Sequence, residues 1–116
     1  MSLADYVHES QKPDSLVVVR EAEGRVVGVL WVQVEHDHLV VEQIARDQRA
    51  TPGIGSELLL LAEFRLAPHF DKTELRLEAL NEELVRWYVT RGFEANGPRY
   101  KHPSWGWLYP MVKRLS

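Results

Sequence analysis

The sequence predicts an α/β chain of the α+β kind, a mixed and mostly antiparallel sheet flanked by helices. Three observations predict it. Residues 16–45 hold three apolar, β-branched runs separated by short polar turns. Residues 53–91 then switch to helical spacing, strand alternation and helical spacing again. The last run, Trp105 to Lys113, alternates aromatic residues with others, as a closing strand does.

Each element has a local reason. Residues 1–15 are polar with a Pro13-Asp14 turn signal, and are read as a loose leader or a short helix. Leu16-Val17-Val18-Val19-Arg20 is a short strand, Glu23-Gly24 its turn, and Arg25 to Glu35 the long return strand of an antiparallel hairpin. His36-Asp37-His38 turns the chain into a third strand, Leu39 to Ala45. Gly53 to Ala67 reads as helix, with Ile54, Leu58, Leu61, Ala62 and Arg65 on one face and Pro68 as its stop. Glu74 to Ala79 alternates, with Leu75, Leu77 and Ala79 inward. Asn81 suits an N-cap, followed by Glu82 and Glu83 in the first turn. Leu84, Trp87, Tyr88 and Arg91 share the face of that second helix, and Gly92 fits the residue after its end. Phe93 to Ala95 starts a short strand, and Asn96-Gly97-Pro98 is a turn.

Composition narrows the function classes. The 116 residues make one domain, 1–116, with 45% hydrophobic and 27% charged residues. A net charge of −3 with no basic run argues against nucleic acid as a partner. No apolar run nears about 18 residues, so no membrane span is expected, and residues 1–5 lack the features of a signal peptide. The absence of cysteine removes disulfides and thiolate chemistry, and a cytoplasmic setting is the expectation.

The segment from Arg49 to Leu59 carries the strongest chemical signal. Gly53 and Gly55 sit one residue apart between a strand and a helix, where a missing Cβ lets backbone amides crowd around a ligand. The unpaired N–H groups and dipole of the helix start favour a phosphate or pyrophosphate. An ordinary tight turn before a helix is the competing explanation.

Two motifs together resemble the GNAT N-acetyltransferase superfamily. One is the strand ending Val41-Glu42-Gln43-Ile44-Ala45, the loop ending Gly53-Ile54-Gly55, then Leu58-Leu59. The other is Asn81-Glu82-Glu83-Leu84-Val85-Arg86-Trp87-Tyr88-Val89-Thr90-Arg91-Gly92-Phe93. The resemblance runs from about Leu16 to the C-terminus. It implies a short acyl-CoA-binding domain with acetyl-CoA as cosubstrate, no metal, and acetyl transfer by direct attack of a primary amine on a small molecule or protein. It implies Tyr88 as the acid for the departing thiolate and Glu42 as the base; His36 and His38 are rivals for the latter on their near-neutral reference pKa values, although turn histidines are more often solvated. A core aromatic and a solvated charge are the plain alternatives for Tyr88 and Glu42. Cofactor contacts are implied for Ile44, Ala45, Arg46, Arg49, Thr51, Gly53, Ile54, Gly55, Ser56, Asn81 and Tyr88.

This chain departs from the family pattern in three places. Ala50 stands where the family has Arg or Gln. Pro52 offers no amide in the phosphate loop, and a lost hydrogen bond to a charged group, worth about 1.5–3 kcal/mol, would lower affinity roughly ten- to a hundredfold unless Arg46 or Arg49 compensates. The N-terminal helices of the family are shortened or missing, so part of the acceptor wall is absent and a homodimer partner is a possible substitute. An acyl-CoA-binding sensor or regulatory module without transfer activity is therefore the alternative function, and a dimeric scaffold a third. Trp105, Trp107 and Tyr109 are expected as core on the inner face of the last strand, with an acceptor pocket or dimer face as the alternative. Arg86, Arg91 and Arg99 are expected as solvated charges.

Overall fold

A computed structural model describes residues 7–9, 14–47 and 53–115 of the chain, with residues 7–9 described at the level of backbone. The elements run β1 (Val7–Glu9), β2 (Ser15–Ala22), β3 (Arg25–Val34), β4 (Leu39–Arg46), α1 (Ile54–Leu61), a π-helical turn (Ala62–Leu66), α2 (Ala67–His69), β5 (Glu74–Ala79), α3 (Glu82–Val89), β6 (Glu94–Ala95), β7 (Tyr100–His102) and β8 (Gly106–Arg114). One sheet orders them β1-β2-β3-β4-β5-β8-β6, with β7 also paired to β8. Every pairing is antiparallel except that of β4 with β5. The expected mixed, mostly antiparallel α/β sheet with flanking helices is what the chain forms.

The hairpin of β2 and β3 turns at Glu23 and Gly24, both at positive φ (53° and 78°), which matches the right-handed twist of the strands it joins. Two readings of the sequence need correction at the N-terminus and near residue 100. Residues 7–9 lie in the expected leader yet form β1, which pairs with Leu16–Val18. Their alternation is too short to register as a strand; pairing to an existing edge makes it one. Likewise β7 was not foreseen, and it closes a hairpin with Gly106–Leu108.

The first helix also runs past its expected stop. The amide of Ala67 bonds to the carbonyl of Ala62, a π-type step, and the chain continues helically to His69 through Pro68. Proline lacks an amide and its ring clashes with a carbonyl one turn back. A widened turn followed by a new helical start, where proline is tolerated, removes both problems. Ile54, Leu58, Leu59, Leu61, Ala62, Leu66 and Ala67 are buried, whereas Arg65, expected on the inward face, is exposed.

The core joins this helical segment to Val18, Leu30 and Val32 of the hairpin, Leu39 and Val41 of β4, Leu75 and Leu77 of β5, and Met111 of β8. α3 contributes partly buried Leu84, Trp87 and Tyr88 from the face that the sequence indicates, together with Val85. Gly92, at φ 94°, ends α3, and the amide of Phe93 reaches back to the carbonyl of Tyr88. Lys113 of β8 bonds both Glu63 (2.9 Å) and the carbonyl of Arg91 (2.8 Å), tying the two helical segments to the last strand.

One glycine sets how closely α1 approaches the sheet. A Cβ at Gly28 on β3 would lie 2.5 Å from Ile54 Cγ2 and 3.1 Å from Leu58 Cδ1. Ile54 is the first residue of α1, so position 28 fixes the seat of the helix start. Gly28→Ala should destabilise the fold by about 1–3 kcal/mol, the usual cost of overpacking. Urea denaturation should show a lower midpoint with an unchanged slope; an unchanged midpoint would refute the tight seat.

Candidate functional site

The site begins with a bulge. Across β3 and β4, Trp31 pairs with Gln43 and Val32 with Val41, so Glu42 is an extra residue between them. The bulge shifts the phase of β4: Val41 is buried, Glu42 and Gln43 face outward, and Ile44 packs against the core. Beyond the bulge β4 also leaves β5. The parallel ladder covers only Leu39–Val41 against Leu75–Leu77, although β4 continues to Arg46 and β5 to Ala79. Residues 43–46 therefore lie beyond the ladder with β5.

Two clefts open at this divergence. The smaller, about 580 Å³, is lined by Ile44, Arg46, Gly53, Gly55, Ser56, Asn81, Glu83, Leu84, Trp87, Tyr88 and Arg91. The larger, about 720 Å³, lies between β4, β5, α3 and the β7–β8 hairpin, and includes Trp31, Glu42, Gln43, Glu78, Leu80, Tyr100, His102 and Trp105. They share Ile44, Leu84 and Tyr88.

The smaller cleft has the chemistry of an anion cradle. Gly53, at φ 104°, turns the chain into α1, and the first helical bond runs from the amide of Glu57 to the carbonyl of Gly53. The amides of residues 53–56 thus lie ahead of the helical hydrogen-bond ladder. Gly55 is helical, and a Cβ there would meet the Trp87 ring at an ordinary 3.8 Å. The protein itself does not require glycine at 55; a ligand backed against the amides would. Arg91 adds positive charge. Its guanidinium stacks 3.6 Å over the Trp87 ring and donates to Ser56 Oγ at 2.7 Å. These residues fit the diphosphate of coenzyme A: amides, a bare Cα and two arginines at one helix start.

Tyr88 sits where the clefts meet. Burial raises its phenol above the ordinary value near 10, with partial opposition from the charge of Arg91. It is therefore protonated at neutral pH. Its ring packs edge-on against Trp87 and Phe93, with centroids at 5.0 and 5.5 Å.

The structure brings together most of the residues singled out from sequence. Gly53, Gly55, Ser56, Ile44, Arg46, Asn81 and Tyr88 line the smaller cleft, and Glu42 the larger. Asn81 caps α3, its Oδ1 accepting from the amide of Leu84 at 2.8 Å. Ile54 turns its side chain into the core, leaving its amide for the cradle. Ala45, on β4 opposite Val29, lines neither cleft. Arg49 and Thr51, with Ala50 and Pro52, fall outside the described residues. His36 and His38 also line neither cleft; His38 Nδ1 lies 2.6 Å from Asp37, whose carboxyl this bond holds below its usual range.

Two expectations are overturned. Arg91 is not a solvated charge but is half-buried between Trp87 and Ser56. The signal was present, since Trp87 and Arg91 are four residues apart on one helical face. Trp105 and Trp107 are not core: they are 67% and 44% exposed. Trp105 lies in the β7–β8 turn on the larger cleft, and Trp107 stacks beneath Arg99 at 4.3 Å. Alternation indicates two faces but not which face is covered, and only Tyr109 of the three packs against the core. Glu78, Tyr100 and His102 were not foreseen. Glu78 reads as the solvent side of an alternating strand, which becomes a cleft wall only because β4 moves away.

Comparison with known proteins fits this geometry. The family profile described as "Acetyltransferase (GNAT) domain" matches residues 1–115. The chain belongs to the GNAT acetyltransferase family. No sequence among curated proteins gives a significant match. Among solved structures, nourseothricin acetyltransferase superposes with a TM-score of 0.76 at 23% identity, over 90% of this chain and 67% of that one. A GNAT family acetyltransferase from Elizabethkingia anophelis with acetyl-CoA bound gives 0.76 at 11% identity, over 95% and 96%. The PaiA N-acetyltransferase from Thermoplasma acidophilum in complex with coenzyme A gives 0.67 at 19% identity, over 87% and 61%. At these identities the superpositions report the fold. No three His, Asp or Glu side chains among the described residues are placed to hold a metal, and no described helix is long and apolar enough to cross a membrane.

Two outcomes test this site. Gly55→Ala should leave stability unchanged or raise it by up to about 1 kcal/mol, because alanine favours helix. The same variant should weaken acetyl-CoA binding by about tenfold or more in calorimetry, since a Cβ would block the amides. Separately, the raised phenol of Tyr88 means that the folded state holds this proton more tightly than the unfolded state. That stability is complete below about pH 10 and is lost as pH rises through the elevated value. Thermal midpoints from pH 8 to pH 11 should fall more steeply in the parent than in Tyr88→Phe; parallel curves would refute it.

Proposed function

We propose that the protein is an acetyl-CoA-dependent N-acetyltransferase acting on a primary amine. The divergence of β4 from β5 carries the reading, because it joins an anion cradle to a second cleft through a single phenol. Gly53, Gly55 and Ser56, with Arg46 and Arg91, hold the diphosphate at the start of α1. Arg49 and Thr51, outside the described residues, are proposed as further contacts, and Asn81 lines the same cleft. The unpaired edge of β4 around Ile44 and Ala45 offers amides to the thioester carbonyl, where negative charge develops. The acceptor enters by the larger cleft.

The reaction is a direct transfer. The amine nitrogen forms a bond to the thioester carbon, and the carbon–sulfur bond breaks. Glu42, at the bulge facing the larger cleft, takes the proton released by the amine, directly or through water. Tyr88, kept protonated by burial, gives its proton to the departing thiolate, and solvent restores it. Without cysteine, no thioester with the protein forms.

Tyr88→Phe and Glu42→Gln should each lower kcat by about a hundredfold or more, the usual contribution of a positioned acid or base. Acetyl-CoA affinity should change little in either variant. Thiol release in the presence of an amine panel measures the rates. Full activity in Tyr88→Phe would remove it as the acid. Binding of acetyl-CoA with no thiol release for any amine would make the protein a sensor instead.

A further inference from the structure

One wall of the larger cleft is an aromatic surface on a tightly constrained turn. We propose that Trp105 is a stacking platform for the acceptor, that the acceptor is a primary amine carried on a flat aromatic body, and that His102 is the residue that positions the platform. This inference rests on the transferase reading and specifies its second substrate.

Trp105 sits at the tip of the β7–β8 hairpin, where local devices fix its backbone. Pro103 locks one φ of the tip. Gly106, at φ 76°, supplies the left-handed step into β8 and pairs with His102 across the hairpin. His102 Nδ1 accepts the amides of both Ser104 (3.0 Å) and Trp105 (3.3 Å). A backbone amide only donates, so Nδ1 is the bare ring nitrogen and Nε2 carries the hydrogen. The imidazole thus does what an Asn or Asp side chain does in an Asx turn: it satisfies the tip amides and sets the curve of the chain.

On this fixed backbone the indole remains 67% exposed. Tyr100 and Leu80, at 42% and 52% exposure, line the same cleft. Apolar surface gathered in water beside a cleft is the kind of exposure that marks a binding site. Trp87 and Trp107 each carry a guanidinium on the ring. Trp105 has no ring or cation partner among the described residues, so its face is open to a ligand. The hydroxyl of Tyr100 donates to Glu78, so this ring too is held in place. Rings held before binding lose little freedom on contact, and the gain from stacking a flat ligand is retained. The cleft volume of about 720 Å³ lies within the range of small-molecule sites, about 300–1,000 Å³. Tyr88 lines the same cleft, so a ring on Trp105 and an amine near the thioester can belong to one molecule. The subsite acts in binding only; it makes no bond and moves no proton.

Phenethylamine and phenylbutylamine, each set against its cyclohexyl counterpart, keep the amine and the carbon count and differ in the flat ring. The better aromatic acceptor should show a kcat/KM about three- to tenfold above its saturated counterpart, the worth of one aromatic contact. Trp105→Leu, at an exposed position, should raise the KM of the aromatic amine about three- to tenfold and abolish the preference, with acetyl-CoA affinity unchanged. Trp105→Phe should keep the preference. His102→Leu should raise the same KM, and His102→Asn, whose Oδ1 can accept the same amides, should restore it. Equal or better use of the cyclohexyl amines, or a preference that survives in Trp105→Leu, overturns the proposal. A His102→Asn variant that behaves as His102→Leu overturns the positioning role. The Trp105 variants decide the platform even if His102→Leu fails to fold. If no amine releases thiol, the transferase reading fails, and calorimetry decides the subsite by itself. Binding of either aromatic amine to the coenzyme A-loaded protein, weakened in Trp105→Leu, then supports it; absence of binding overturns it.

Discussion

The structure depends on one departure from regular pairing. A single extra residue at Glu42 shifts the phase of β4, and the parallel ladder to β5 stops at Val41. An ordinary sheet would close that seam, bury its side chains and satisfy its amides. Here the seam stays open over the last residues of both strands, and the two clefts, the unpaired edge and the position of Tyr88 all follow from it. The cost in lost ladder bonds is tolerated because the rest of the sheet is continuous on both sides, from the β2–β3 hairpin to the β5–β8 pair.

The start of α1 is the second anchor. It is held from below by contact with Gly28, from the side by the Arg20–Glu57 ion pair at 2.9 Å, and from α3 by Arg91 on Ser56. The three contacts involve different elements, so the amides ahead of the helix are positioned by the whole domain rather than by their own loop. Arg91 has a double part in this arrangement. It bridges two helices through Trp87 and Ser56, and it places positive charge at the cradle.

Much of the fold was legible in the sequence. The hairpin turn at Glu23-Gly24, the inward set Leu75, Leu77 and Ala79, and the cap at Asn81 each follow from local rules that tertiary contacts do not overrule. The glycine pair at 53 and 55 and the Tyr88 helix were legible as motifs for the same reason. What escaped was decided by partners distant in sequence. Residues 7–9 become a strand through the edge of β2, and the helix passes Pro68 because a π turn absorbs it. Trp105 stays exposed because the last strand begins after it. Glu78 became a cleft residue through the departure of β4, which no pattern within β5 encodes. Arg91 is the instructive miss, since its helical spacing to Trp87 was readable and its label as a solvated charge ignored it.

Among the described residues, the two openings have Ile44, Leu84 and Tyr88 in common. Most of each wall is not shared, so an occupant of one opening need not displace an occupant of the other, and Tyr88 would border both.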